Sequence, residues 1–163
     1  MVETLQLREP SQRVSPRARG LWLVESLLEG LLTVLVLTVV AWVWSPVELR
    51  WWMPLVALAL LAAYVAVVPA WRYAVHRWEV TDTAVYTQTG WWARERRIAP
   101  MSRIQTVDYA EGALERLFGL ASVTVTTASA AGALQIAALD RDVAHRLADE
   151  LTLRADTVPG DAT

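Results

Sequence analysis

Cysteine is absent from the 163 residues, which removes disulfides, thiolate metal sites and cysteine nucleophiles. Lysine is absent too: all 15 basic residues are arginines, a pattern that reads as coding bias rather than chemistry. Histidine occurs only as His76 and His145, and neither has a plausible set of metal ligands around it in the sequence. No GxGxxG, P-loop or HExxH pattern is present. A basic excess is missing as well. The formal net charge is −2, from 15 basic against 17 acidic residues, so the electrostatic footprint of a nucleic-acid binder is not there. The expectation from these absences is a chain that is not an enzyme, with no cofactor, no metal and no nucleic-acid partner.

What the chain does have is apolar length. Mean hydropathy is +0.30, and 55% of the residues are hydrophobic, concentrated in the first half. Leu21 to Trp44 is interrupted only by Glu25, Ser26, Glu29, Gly30 and two threonines, and Trp51 to Trp71 carries no charge. A bilayer core needs roughly 20 apolar residues as helix, and both runs reach that length. The short link Ser45 to Arg50 predicts an antiparallel hairpin. Trp42, Trp44, Trp51 and Trp52 gather at its turn, with Trp22 and Trp71 at the other end, as two aromatic belts would require. Arg8, Arg13, Arg17 and Arg19 precede the first run, Arg72 and Arg77 follow the second, and only Arg50 lies in the turn. The arginine bias predicts both termini in the cytoplasm. No small-x-small cleavage site follows the first run, so a removable signal peptide is not expected.

Glu25 and Glu29 share one face of the first helix. Matching depths across the hairpin sets Glu25 opposite Ala70, with Arg72 in reach, and Glu29 opposite Ala66, with Tyr64 as a polar neighbour. A carboxylate at that depth is a candidate functional group. Glu29 is therefore read either as satisfied within the hairpin or as marking a contact with another membrane subunit.

From Trp78 the periodicity becomes two. HRWEVTDTAVYTQTG predicts two strands with a turn near Thr81 to Thr83, and Thr89-Gly90 turns into WWARERRIAP. RIQTVDY is a further strand. ASVTVTT points Val123, Val125 and Thr127 one way, and GALQIAAL does the same with Leu134, Ile136 and Ala138. Asp140 suits the N-cap of a final helix whose stripe is Val143, Leu147 and Leu151, flanked by Ala144 and Ala148. Between strands, GALERLFGL predicts a compact turn with Leu114, Leu117 and Phe118 inward and Gly119 at a sharp exit. The sum is α+β: a two-helix transmembrane hairpin, then about seven short strands closed by a C-terminal helix.

Arg97, Ile98, Pro100, Arg103, Ile104, Gln105, Val107, Leu114, Glu115, Arg116, Phe118, Gly119, Leu120, Val123, Val125 and Thr127, placed behind two spans, make the chain resemble the YdbS-like bacterial pleckstrin-homology (PH) domain membrane proteins. The RIQ and LERxFGL segments carry most of that resemblance, which covers roughly Trp22 to Leu153. Ala113 and Thr127-Ala128-Ser129-Ala130 depart from the family's usual Pro and Gly-rich stretches. The resemblance implies a PH-like β-barrel or sandwich without known catalysis and frequent association with a larger, multi-module relative. It also implies a link to envelope stress or resistance to membrane-active peptides. On this reading residues 1–20 are an Arg-rich cytoplasmic leader, 21–72 the hairpin, 73–154 the PH-like domain and 155–163 a disordered tail.

The surface candidates are Trp91, Trp92, Arg94, Arg96 and Arg97. Read as a strand, WWARERR puts Arg94 and Arg96 on one face and Glu95 and Arg97 on the other. Indoles and guanidiniums below a bilayer suit anionic headgroups, at about 1 kcal/mol per basic group. The competing reading has one Trp in the core, the other partly covered, and the arginines paired with Glu95 or Glu79. The leading functional expectation is docking to a partner membrane protein, either a relative of the same family or a second copy. The alternatives are sensing of anionic lipid at the inner leaflet and a small transporter subunit, the latter resting on Glu29 alone.

Overall fold

The computed structural model describes residues 9–43, 50–90, 92–128 and 132–157. The expected belt residue Trp44 with most of the hairpin turn, Trp91, Arg8, Ser129-Ala130 and the last six residues lie outside the described residues. The chain forms two compact units, residues 19–71 and the remainder.

The first unit holds two long helices, α1 (Ala18–Val43) and α2 (Trp52–Val75). At 1.5 Å per residue they run about 39 and 36 Å, enough to cross a hydrocarbon core of about 30 Å. Their apolar side chains point outward: Leu32 is 61% exposed and Leu60 66%. Such faces suit lipid, where every backbone polar group is satisfied within the helix. Thr33 and Thr38 follow the same rule, each hydroxyl donating to the carbonyl four residues earlier at 2.8 Å. Pro54 sits in the first turn of α2, where its missing N–H costs nothing, whereas Pro69 removes one internal bond.

The helices pack closely at Gly30, where a Cβ would lie 2.0 Å from Leu61 Cδ1. That contact corrects the depth matching from sequence. Equal-depth counting from the turn put Glu29 opposite Ala66, but the contact sets the register about one helical turn nearer Leu61. Close packing at Gly30, which has no side chain, rather than turn length, fixes the pairing.

The second unit is a β module. Strands β1 (Gln12–Arg13), β2 (Arg77–Val80), β3 (Ala84–Thr89) and β4 (Glu95–Pro100) form one antiparallel sheet in that order. A 3-10 turn (Met101–Arg103) leads to β5 (Ile104–Ala110). Helix α3 (Ala113–Phe118) intervenes before β6 (Leu120–Thr127) and β7 (Leu134–Asp140), which complete a second sheet in the order β5-β6-β7. Helix α4 (Arg141–Thr157) follows. The turn expected at Thr81 to Thr83 forms, and the Thr81 hydroxyl accepts the Ala84 N–H at 3.1 Å.

Val85 of β3, Val123 and Val125 of β6, Leu134 and Ile136 of β7 and Ala144, Leu147 and Leu151 of α4 are all buried. The expected strand faces and helix stripe therefore meet in one core. Each large aliphatic chain contributes about 1.5–3 kcal/mol by leaving water. Backbone bonds outside the ladders link the strands further: Met101 N–H to the Thr83 carbonyl at 2.9 Å and Ala128 N–H to that of Arg103 at 3.1 Å.

Four local expectations are corrected. The leader is not separate from the module. Gln12 and Arg13 pair with Trp78 and Arg77, Val14 is buried, and Ser15 N–H donates to the Ala138 carbonyl of β7 at 3.1 Å. Arg94 precedes β4 rather than lying in it, so it shares no strand face with Arg96. The apolar knob of α3 packs inward only in part: Leu114 and Phe118 are half-buried, and Leu117 is 80% exposed. A helix of six residues has one face to offer, and it is anchored through Glu115 instead. Finally, Ala155 to Thr157 are the end of α4, not a tail.

Candidate functional site

Outer strand β4 carries the basic candidates. Its register sets Arg96 opposite Gln88 and Arg97 opposite Thr87 of β3. Arg96 donates from Nε to Gln88 Oε1 at 2.8 Å and from Nη2 to Glu9 Oε1 at 2.9 Å. Gln88 is itself buried, its amide donating to the Val75 carbonyl at 3.0 Å. Arg97 donates from Nε to Glu95 Oε1 at 2.6 Å and from Nη1 to the Ala133 carbonyl at 3.0 Å. The Glu95 pairing is the one expected from sequence. Glu79 accepts the Ser11 N–H at 3.0 Å. Arg94 is exposed and holds no ion pair among the described residues. Trp92 is 89% exposed, so neither of the core or half-covered positions considered for these indoles applies to it. The strip is thus an exposed indole and one unneutralised guanidinium beside two guanidiniums already engaged.

The RIQ…LERxFGL residues work as joints. The Arg103 carbonyl accepts the Ala128 N–H, and Ile104 opens β5 with a register shift before Thr106, which leaves Gln105 outside the paired positions. Leu114 and Phe118 are half-buried. Glu115 is the hub: Oε2 accepts the Gly112 N–H at 2.8 Å and Oε1 accepts the Ser122 hydroxyl at 2.6 Å. One carboxylate caps α3 and ties it to β6. The Arg116 carbonyl accepts the Gly119 N–H at 3.2 Å. Gly119 has φ 67, the left-handed C-cap for which glycine is the least strained residue. Its carbonyl then accepts the Arg141 N–H at 3.1 Å, and Leu120 enters the core.

Glu29 lies on α1 in the other unit, exposed, with no ion pair or side-chain hydrogen bond among the described residues.

Two features were not legible as such. His76 reads as a linker residue but is buried between α2 and β2, its Nδ1 2.8 Å from the Arg72 carbonyl. Burial holds its pKa below the usual 6.5; the carbonyl opposes that and the Arg72 guanidinium reinforces it. A surface network also joins β5 to α4. Tyr109 donates to Glu111 Oε1 at 2.5 Å, Arg141 Nε approaches the same oxygen at 3.0 Å, and the Tyr109 ring meets that of His145 edge-on at 5.8 Å. The Glu111 carboxylate pushes the Tyr109 pKa up. His145 is paired with Asp149 at 3.1 Å. Asp140 accepts the Ser15 hydroxyl at 2.8 Å and lies 3.6 Å from Arg17. These groups fasten helix and leader to the sheets. Among the described residues no three His, Asp or Glu side chains gather as a metal site would require.

Comparison with known proteins agrees with this architecture. The family model described as bacterial PH domain matches residues 20–155. The chain is 29% identical over 157 residues to the UPF0699 transmembrane protein YdbS of Bacillus subtilis (strain 168), covering 94% of this chain and 98% of that protein. No solved structure matches.

Proposed function

The chain belongs to the bacterial PH domain family, and on that footing we propose that this membrane protein presents its β module as a non-enzymatic docking unit for a partner membrane protein. Its two spans would cross the plasma membrane with both termini in the cytoplasm, as the arginine distribution favours. The partner class is a relative carrying further modules of this kind.

The state of the β4 strip carries the reading. Arg96 and Arg97 are held by Glu9, Gln88, Glu95 and the Ala133 carbonyl, while Trp92 stands 89% exposed beside the outer strand. A headgroup phosphate would have to displace those carboxylates. It gains about 1 kcal/mol per basic group, and each exposed pair given up costs up to about 1 kcal/mol. The net attraction shrinks towards that of Arg94 alone. An exposed indole at a sheet margin suits a protein partner better, since tryptophan anchors contribute most in desolvated protein contacts.

Mild-detergent co-purification of the full chain from its own host tests this. A membrane protein recovered with wild type and lost with Trp92→Ser supports docking. Recovery of the chain alone, under conditions that keep other complexes intact, refutes it. The lipid reading is separated in nanodiscs. Hydrogen-exchange protection of residues 92–97 that needs anionic lipid, and that Arg94, Arg96 and Arg97→Gln abolish, would move the assignment to headgroups.

A further inference from the structure

Glu29 lies about 16 Å along α1 from Ala18, deep in the apolar stretch, and lines a cavity of about 400 Å³ on the helix pair with Gly30, Thr33, Leu61 and Tyr64. A second cavity of about 180 Å³ continues it, lined by Thr38, Ala41, Met53 and Pro54. Both share Val34, Leu37 and Ala57, so they are one groove. From Glu29 to Ala41 it spans about 18 Å of helix. That elongated shape, with Gly30, Thr33, Ala41 and Ala57 set among larger apolar side chains, fits a third helix rather than a compact molecule.

The chemistry of the occupant follows from charge. A carboxylate at this depth needs a positive or hydrogen-bonding partner, and Glu29 has none among the described residues. A second copy could not supply a cation, because no Arg, Lys or His occurs in residues 20–49 or 51–71. We infer that the groove seats one transmembrane helix of a different protein, and that an arginine or lysine on that helix pairs with Glu29 beside the Tyr64 hydroxyl. The inference rests on the reading of the chain as a partner-docking membrane protein and names the intramembrane half of that contact.

The test places a photo-cross-linking amino acid at Leu37 or Ala57 of the full chain in native membranes, with Leu35 as a site outside the groove. The expected result is an adduct from Leu37 and Ala57, but not Leu35, to a single helix containing Arg or Lys. Glu29→Gln, which keeps size and removes charge, is expected to cut its yield about ten-fold. Glu29→Arg is expected to abolish the adduct, and reversing the partner's basic residue to Glu restores it. An adduct to a second copy, to lipid alone or to a helix without a basic residue overturns the inference. So does a yield unchanged in Glu29→Gln. If the partner still co-purifies through Trp92 while the groove gives no adduct, only this inference falls; if both fail, the docking reading falls with it.

Discussion

Replacing Glu115 by Ala removes one side chain that performs two tasks. Its Oε2 accepts the Gly112 N–H at 2.8 Å and its Oε1 the Ser122 hydroxyl at 2.6 Å. Loss of the cap costs about 1 kcal/mol. Ser122 is buried, and a buried hydroxyl deprived of its acceptor costs about 1–3 kcal/mol. The sum is about 3 kcal/mol. For a module of this size, each kcal/mol lowers Tm by about 4–8 °C, so a fall of more than 10 °C is expected. Glu115→Gln retains one acceptor oxygen in place of two and should lose about half as much. Ser122→Ala in the Ala background should cost little more, because the orphaned hydroxyl is then gone, giving a coupling of about 1–2 kcal/mol. Thermal melting of the purified full chain, with hydrogen exchange read at residues 112–122, measures all three. A Glu115→Ala variant within about 0.5 kcal/mol of wild type refutes the joint role, as would strict additivity with Ser122→Ala.

Three further outcomes follow from the same geometry. Gly119→Ala must hold a side chain at φ 67, and melting should show a loss of about 1–2 kcal/mol; the Arg17 guanidinium tip, 3.2 Å from the new Cβ, can move aside. Gly30→Ile forces α1 off Leu61, costing about 1–3 kcal/mol, and a double-mutant cycle with Leu61→Ala should return at least about 1 kcal/mol of favourable coupling. His76 makes stability fall in mild acid. Its folded pKa lies below 6.5, so as pH drops the unfolded chain takes the proton first. Stability is complete above about 6.5 and declines by up to about 1.4 kcal/mol per pH unit until the folded pKa is passed. Melting between pH 7.5 and 5.5 should show this slope, and His76→Gln should flatten it.

The elements themselves were legible because each obeys a local rule. Charge-free apolar length produced α1 and α2, alternation produced β6 and most of β7, and a four-residue stripe produced α4. What escaped was non-local. Gln12 and Arg13 are a polar dipeptide with no period, and only Trp78 and Arg77 across the sheet make them a strand. In β7 the alternation of Leu134, Ile136 and Ala138 is right, yet Leu139 is buried too. The register shift between Ala121 and Val123 changes the phase, and Ala138 takes φ 57 there with no glycine in the sequence to announce it.

The candidate sites divide along the same line. Residue type shows which groups are costly to leave alone, and tertiary structure shows which have been satisfied. Arg94, Arg96 and Arg97 look equivalent in WWARERR. Glu9, 87 residues from Arg96, and the Ala133 carbonyl, 36 residues from Arg97, remove that equivalence. Glu29 takes the opposite course. Thr33 answers only its backbone carbonyl, and the groove around it supplies no cation. The arginine strip, the more conspicuous of the two in the sequence, is largely spoken for within the fold. Glu29 of α1 keeps its electrostatic demand, and a demand the described residues do not meet is the stronger sign of an external partner.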